Sequence, residues 1–289
     1  MIDQRSRNGQ FLVLGSASPS LLQQSSETLA GRISYRELSP LMLNEVGADR
    51  LFSLWLSGGF PRSFLSEHDT SISWRENYIR TFLERDLPML GFRRSSAQMR
   101  RFWMMFAHSH GQIQNHSKLA QSLDVSGPSI KGFIDMMVDA FMLRVLPPYI
   151  PNIKKRLVKS PKVYLRDSGL LHSLLGLETL DDLMGHPIYG SSFEGFVIEQ
   201  ILSSLSTSWQ PFFYRTSTGE EVDLVLTKGN EVVAIECKAS MSPSLSKQNL
   251  AALEAIKPTR AFVVSLVEDA YPLRADVVTC SVAHVIAAL

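Results

Sequence analysis

The residue types best suited to chemistry lie in two apolar runs near the end of the chain. Asp223 interrupts the first run, and Glu236 and Lys238 interrupt the second. Gly229-Asn230 lies between the runs and predicts a two-residue turn, for which glycine at the first position is favoured. A hairpin closed by this turn places Asp223 directly opposite Glu236. The spacing therefore predicts two carboxylates that face each other across neighbouring strands.

The same pairing divides the hairpin into two faces. One predicted face is wholly apolar and can be buried, and it consists of Val222, Leu224, Leu226, Val233, Ile235 and Cys237. Lys238 follows Glu236 by two residues and therefore shares the face of the carboxylates. Opposed carboxylates about 5 Å apart repel each other unless a cation or a proton lies between them. A divalent metal ion would satisfy the pair, whereas a solvated hairpin with surface charges is the competing interpretation.

Oxygen ligands of this kind suit Mg²⁺ or Mn²⁺, which keep several waters and are bound by one or two carboxylates together with substrate phosphates. We therefore expect Asp223 and Glu236 to be metal ligands. Lys238 is expected to act as the catalytic cation, either by orienting an attacking water or by neutralising charge that develops on a phosphate. Together these residues predict a phosphodiesterase.

The combination of Asp223 with Glu236-Cys237-Lys238, preceded by Glu194 on a predicted helix, resembles the PD-(D/E)XK nuclease superfamily. In that superfamily a helix carboxylate often supports the metal, and the resemblance implies this role for Glu194. It also implies cleavage of nucleic acid, although folds of this type also serve as binding modules without catalysis.

Nearly the whole chain resembles ATPases of the AAA-14 type joined to the domain of unknown function 4143. The most family-specific run is PKVYLRDSGL at positions 161–170, and residues 11–18 resemble the sensor strand of these ATPases. The resemblance implies that Ser16 helps to sense a γ-phosphate and that Arg32 contacts a nucleotide, across a subunit interface in one arrangement. Structural remnants without either role are the alternative for these two residues.

The nucleotide-binding part of that resemblance is missing from the sequence. A P-loop requires a Gly-Lys dipeptide before Ser or Thr, and the chain contains none; the acidic strand that would hold Mg²⁺ is also missing. We therefore expect a truncated AAA-related chain, produced by an internal start or by a truncated or split gene. ATP binding and hydrolysis by this chain alone are not expected.

The composition is typical of a globular protein with hydrophobic cores. The chain has 289 residues, of which 45% are hydrophobic, and its formal net charge is +1. That balance gives no general attraction to nucleic acid, so binding would need a local basic cluster. The two cysteines lie in apolar runs, which indicates buried thiols and a cytoplasmic location. No segment approaches the roughly 18 apolar residues of a membrane span, so no membrane association is expected.

The predicted fold class is α/β in three regions. Residues 1–46 are expected to be a strand–helix remnant of the ATPase, residues 47–150 a helical region with a winged helix, and residues 151–289 a PD-(D/E)XK-like mixed α/β domain. The residues 117–134 have helix-turn-helix spacing, yet the second helix offers Lys131 as its one cation. Packing between domains or binding of a partner is therefore favoured over sequence-specific reading of DNA.

The sequence also contains a local group of basic residues and a group of histidines. The local basic cluster is expected to contact a phosphate backbone or else to be a solvated loop, and it comprises Lys154, Lys155, Arg156 and Lys159. His108, His110 and His116 lie close in sequence without cysteines or acidic residues to complete a metal site, so surface or structural roles are expected.

The sequence thus predicts a protein related to AAA ATPases whose C-terminal domain cleaves or binds DNA with Mg²⁺ or Mn²⁺. The alternative is a non-catalytic regulatory or protein-interaction module of an ATPase. Its partners would be an ATPase subunit or a second copy of the chain.

Overall fold

The computed structural model describes residues 9, 11–12, 14–15, 34–89, 95–150 and 157–289. Most of the predicted ATPase remnant, including Ser16 and Arg32, lies outside the described residues. The same holds for Lys154, Lys155 and Arg156. The expectations for these residues therefore stay predictions.

The first half of the described chain is helical. Its segments are α1 (Leu43–Val46), a 3-10 turn (Ala48–Arg50), α2 (Leu51–Ser57), α3 (Pro61–Phe64), α4 (His68–Thr81), a π-helical turn (Phe82–Asp86), α5 (Leu87–Met89), α6 (Ser96–His108), α7 (His116–Leu123) and α8 (Gly127–Asp139). The Asn115 side chain caps α7 by accepting from the Lys118 backbone N–H.

A two-stranded antiparallel sheet follows the helices. It pairs β1 (Leu143–Leu146) with β2 (Lys162–Leu165), and these strands lie on either side of the predicted division at residue 150. Leu143 pairs with Leu165 and Leu146 pairs with Lys162. Both regions therefore contribute a strand to the same sheet.

The rest of the chain builds a mixed α/β layer. Its elements are α9 (Ser168–Leu175), α10 (Leu180–Gly185), α11 (Tyr189–Ser204), β3 (Gln210–Arg215), β4 (Glu221–Lys228), β5 (Glu231–Lys238), α12 (Lys247–Ile256), β6 (Arg260–Ser265), β7 (Tyr271–Arg274), β8 (Val277–Cys280) and α13 (Val282–Ala288). The six strands lie in the order β3-β4-β5-β6-β8-β7, with β5-β6 and β6-β8 parallel and the other pairs antiparallel. The described chain is thus a mixed α/β fold with a helical middle and a C-terminal sheet.

Both faces of this sheet are covered by helices. Phe193 and Val197 of α11 belong to the same core as Leu224 and Ile235. On the other face, Ala252 of α12 packs in a separate core with residues of β4, β5 and β6. The interpretation of the hairpin as a solvated surface element is therefore wrong.

The predicted hairpin register is confirmed over most of its length. Gly229 has φ +60° and begins the turn, and the ladder runs from Lys228–Glu231 to Leu224–Ile235 as the turn dictates. Asp223 and Glu236 are next along the two strands, one step past the last paired residues.

The prediction fails for Val222, which packs on the α12 face with Val225 rather than beside Leu224. The cause is an irregularity in the pairing of β3 with β4. Phe212 pairs with Val225 whereas Tyr214 pairs with Val222, so β4 contains one residue more than β3 over this stretch. A bulge of this kind shifts the alternation of side chains. Asp223 lies within it.

Candidate active site

Asp223 is fixed where the hairpin ladder ends. The side chain is buried, and its Oδ2 accepts a hydrogen bond from the Cys237 backbone N–H at 3.0 Å. The carboxylate thus serves as the acceptor for a main-chain N–H of β5. Its other oxygen, Oδ1, stays available for a cation.

Glu236 is buried with one satisfied and one unsatisfied oxygen. Its Oε1 accepts from Lys238 Nζ at 2.7 Å and from Asn249 Nδ2 at 2.8 Å. Its Oε2 has no hydrogen-bond partner among the described residues. Burial, together with the nearby charge of Asp223, raises the pKa of Glu236 to about 8. Glu236 therefore favours a proton, or another cation, in this position.

Glu194 reaches the same region from α11. Its Oε1 accepts from Tyr164 Oη at 2.6 Å and from Lys162 Nζ at 2.9 Å. Burial and the charge of Asp223 raise the pKa of Glu194 to about 7. The next residue, Gly195, lets α11 pack closely against His110. A Cβ at this position would lie 2.2 Å from His110 Nε2.

Lys162 is the member of the site that sequence reasoning missed. Its ammonium lies 2.9 Å from Glu194, 2.7 Å from Glu221 and 3.5 Å from Asp223, and its side chain is 3% exposed. Burial alone would lower the pKa of Lys162, but Glu194 and the other neighbouring charges raise it well above the ordinary value. The amine is therefore charged. The one available signal was a lysine within the otherwise apolar strand Lys162–Leu165, but nothing in the sequence placed that strand beside the hairpin.

Lys238 connects the buried carboxylates with the surface. Its side chain is about one-third exposed and contacts Glu236. It also borders an open groove of about 370 Å³, whose other lining residues are Ser240, Ser242, Pro243, Ser244 and Ser246. A polar ligand could therefore reach Lys238 from solvent.

Two carboxylates of the site offer oxygen donors for a small divalent cation. Asp223 Oδ1 and Glu236 Oε2 are hard oxygen donors, and the second of these is buried without a partner. Among the residues that the structure describes, no three His, Cys, Asp or Glu side chains are grouped so as to hold a metal ion. These two carboxylates are the donors that the described residues offer, and water and substrate phosphate would supply the remaining ligands, as is common for Mg²⁺.

The structure does not bring the other predicted residues into this site. Lys131 and Lys159 are exposed, and no described contact joins either to the carboxylates. His110 is buried and accepts from the Leu165 backbone N–H through Nδ1, which gives it a structural role. Cys237 is a buried free thiol, and burial raises its pKa well above the ordinary value, which argues against a nucleophilic role.

Two family models match the chain. Residues 48–181 match a domain of unknown function, DUF8612, and residues 189–284 match another, DUF4143. The second match confirms the domain that the sequence suggested, and it contains Glu194, Asp223, Glu236 and Lys238. Lys162 lies in the first match.

The chain is also similar to curated proteins and to solved structures. The chain is 42% identical over 280 residues to the uncharacterized proteins Rv2008c of Mycobacterium tuberculosis and Mb2031c of Mycobacterium bovis. These alignments cover 96% of this chain and 63% of each relative. The crystal structure of transcriptional regulator PA3341 matches with 19% identity over 47% of this chain and 96% of that chain, with a TM-score of 0.21. That score is too low to argue for a shared fold.

No helix in the described ranges is long and apolar enough to cross a membrane.

Proposed function

Because the chain carries DUF4143 at residues 189–284, we propose that this domain is a metal-dependent phosphodiesterase of the PD-(D/E)XK type that cleaves DNA. Asp223 and Glu236 hold Mg²⁺ or Mn²⁺, Lys238 is the catalytic cation, and Glu194 supports the carboxylates. The observation that carries the proposal is the partnerless, buried Oε2 of Glu236 next to Asp223.

Each residue has a defined task in this proposal. When bound, the metal would activate water and neutralise charge on the scissile phosphate. The Cys237 backbone N–H holds Asp223 by Oδ2, which leaves Oδ1 for coordination. Asn249 and Lys238 hold Glu236 by Oε1, which leaves Oε2 for coordination. Lys238 borders the open groove, where its charge can stabilise a phosphate in the transition state.

Binding of the DNA backbone is supported by the segment that precedes β2. The Val158 backbone N–H donates to the Arg215 carbonyl, and Arg215 contacts Glu221, a partner of Lys162. Val158, the neighbour of Lys159, therefore lies at the end of β3 that contacts Glu221. We propose that Lys154, Lys155, Arg156 and Lys159 hold the phosphate backbone.

The proposal also places the chain within an ATPase-related protein. The chain spans 63% of the length of its curated relatives, so the activity of the whole protein is part of the proposal. We propose that nucleotide binding belongs to another segment or subunit and that this chain alone does not hydrolyse ATP. The helices α7 and α8 would serve packing or partner contacts in a winged-helix arrangement.

A cleavage assay tests the proposed function. Wild type and Asp223→Asn are incubated with single- and double-stranded DNA in Mg²⁺, in Mn²⁺ and in chelator. The account predicts metal-dependent cutting by the wild type and a loss of about 100-fold or more in the variant. Asp181→Asn is the matched control, because Asp181 is an exposed acid of α10. Equal cutting by wild type and Asp223→Asn would contradict the assignment.

A second candidate function is a non-catalytic interaction module of an ATPase. The observation that favours it is Lys162, whose ammonium already contacts Glu194, Glu221 and Asp223. This candidate predicts a folded protein that neither binds Mn²⁺ nor cuts DNA in any metal.

A further inference from the structure

One buried lysine contacts three carboxylates of the site. An ammonium group has three N–H donors, and Lys162 faces three carboxylate oxygens, from Glu194, Glu221 and Asp223. The Phe213 ring lies 5.7 Å from the same nitrogen and helps to exclude water. The lysine therefore occupies the position of a counter-cation within the carboxylate cluster.

The backbone of Lys162 is held by elements outside the hairpin. It pairs with Leu146 of β1 and bridges to Ile113, in the loop between α6 and α7. The flanking Pro161 carbonyl accepts from the Gln114 backbone N–H. The scaffold that positions the ammonium thus belongs to residues 48–181, whereas its carboxylate partners belong to residues 189–284.

The lysine and the proposed metal would use the same oxygen. Asp223 Oδ2 is already taken by the Cys237 backbone N–H, and Oδ1 is the oxygen that Lys162 contacts at 3.5 Å. A divalent cation on Oδ1 would place two positive groups against one carboxylate in a buried region, where like charges repel strongly. Both cations can be accommodated only if the ammonium moves away.

We infer that Lys162 is a resident counter-cation that competes with a divalent metal ion for Asp223 and thereby sets the affinity of the site for metal. The inference rests on the proposed function, because it requires metal binding at Asp223. It assigns Lys162 a positioning role on the carboxylates and no contact with substrate.

Calorimetric titration of Mn²⁺ separates this inference from the proposed function. Lys162→Met keeps the aliphatic stem and removes the charge, so we expect binding to tighten about tenfold or more. Lys118→Met, at an exposed lysine of α7, is the matched control and should bind like the wild type. The gain should disappear when Asp223→Asn is added to Lys162→Met, since the ion then loses its ligand.

The possible outcomes are distinct. Equal Mn²⁺ affinity in wild type and Lys162→Met would overturn the inference and leave the metal site intact. No binding by either protein would overturn both. Because Lys162→Met leaves carboxylates without a counter-charge, Lys162→Met with Glu194→Gln provides a second variant with one charge fewer, and it should also bind more tightly than Glu194→Gln alone.

A measurement on the wild type covers the case in which both variants fail to fold. Reductive methylation followed by mass spectrometry reports how accessible each lysine is. Lys162 should be protected without metal and become reactive as Mn²⁺ saturates the site, while Lys118 should react equally in both states. Unchanged protection of Lys162 at saturating Mn²⁺ would overturn the inference.

Discussion

Two buried glutamates in this protein differ in pKa according to their partners. Burial alone would raise the pKa of Glu199, but Arg144 and Arg166 donate to its oxygens at 2.6 to 2.8 Å and lower that pKa to about 2. Glu236 is buried to a similar extent beside Asp223, and its pKa is raised to about 8. The first carboxylate stabilises the fold as an anion, whereas the second favours a proton or a metal.

The Glu199 ion pairs should stabilise the protein most at neutral pH. Glu199→Gln leaves two arginines without their anion, and we expect a loss of about 3 kcal/mol in the free energy of unfolding. Because the folded pKa is depressed, this contribution is present above about pH 4.5 and is lost as the pH falls towards 2. Urea unfolding at pH 7 and pH 3.5 measures it, with exposed Glu254→Gln as the control. An equal deficit at both pH values would contradict the account.

Glu236 should have the opposite pH dependence. Its folded pKa is raised, so its contribution to stability is fully present below about pH 4.5 and is lost as the pH rises through about 8. Glu236→Gln mimics the protonated side chain and should remove this loss. In chelator, the melting temperature of the wild type should therefore fall relative to the variant between pH 5 and pH 9. Parallel curves for the two proteins would show that Glu236 is not perturbed.

At the scale of elements, the site depends on the bulge in β4 and on the close packing of α11 against His110. The hairpin register was predictable because alternating apolar residues and a Gly-Asn turn define it locally. The bulge at Asp223 was not predictable, since it arises from pairing of β4 with β3, whose sequence gives no sign of the mismatch. Lys162 was missed for a similar reason, because only tertiary packing brings its side chain against Glu221 and Asp223 of β4.

Substitution of Gly195 tests the packing of α11 against His110. A Cβ at this position would lie 2.2 Å from His110 Nε2, so Gly195→Ala forces the helix or the histidine to shift. We expect a loss of roughly 1–3 kcal/mol in the free energy of unfolding. Gly190→Ala is a matched control in the same helix, because nothing lies within 4 Å of the added Cβ. It should be neutral or stabilising by up to about 1 kcal/mol. Equal effects of the two substitutions in urea unfolding would contradict this packing.

At the scale of the whole molecule, the helical region and the sheet region are joined around α11. Trp55 of α2 is fully buried, donates to Ser192 Oγ at 2.9 Å and lies against Phe193 with ring centroids 5.1 Å apart. The mixed α/β class and a helical middle were predictable from hydrophobic periodicity. The β1–β2 pairing across residue 150 was not, because a short strand in the sequence does not identify its partner.

Trp55 should therefore stabilise the two regions as one unit. Trp55→Ala is expected to cost about 3–5 kcal/mol in the free energy of unfolding, through the cavity and the hydrogen bond lost with it. Phe52→Ala is the control, because Phe52 lies on the same helix with 44% of its surface exposed. Urea unfolding followed by both fluorescence and circular dichroism measures the loss. A deficit no larger than that of the control would contradict the proposed docking.

The central claim is that Asp223 holds a catalytic metal beside Lys238. The most direct test combines Mn²⁺ titration and DNA cleavage on wild type, Asp223→Asn and Lys238→Gln. The account predicts that wild type and Lys238→Gln bind Mn²⁺, that Asp223→Asn does not, and that the wild type alone cuts DNA efficiently. A wild type that binds no metal and cuts no DNA, or a Lys238→Gln variant that cuts as well as the wild type, would contradict it.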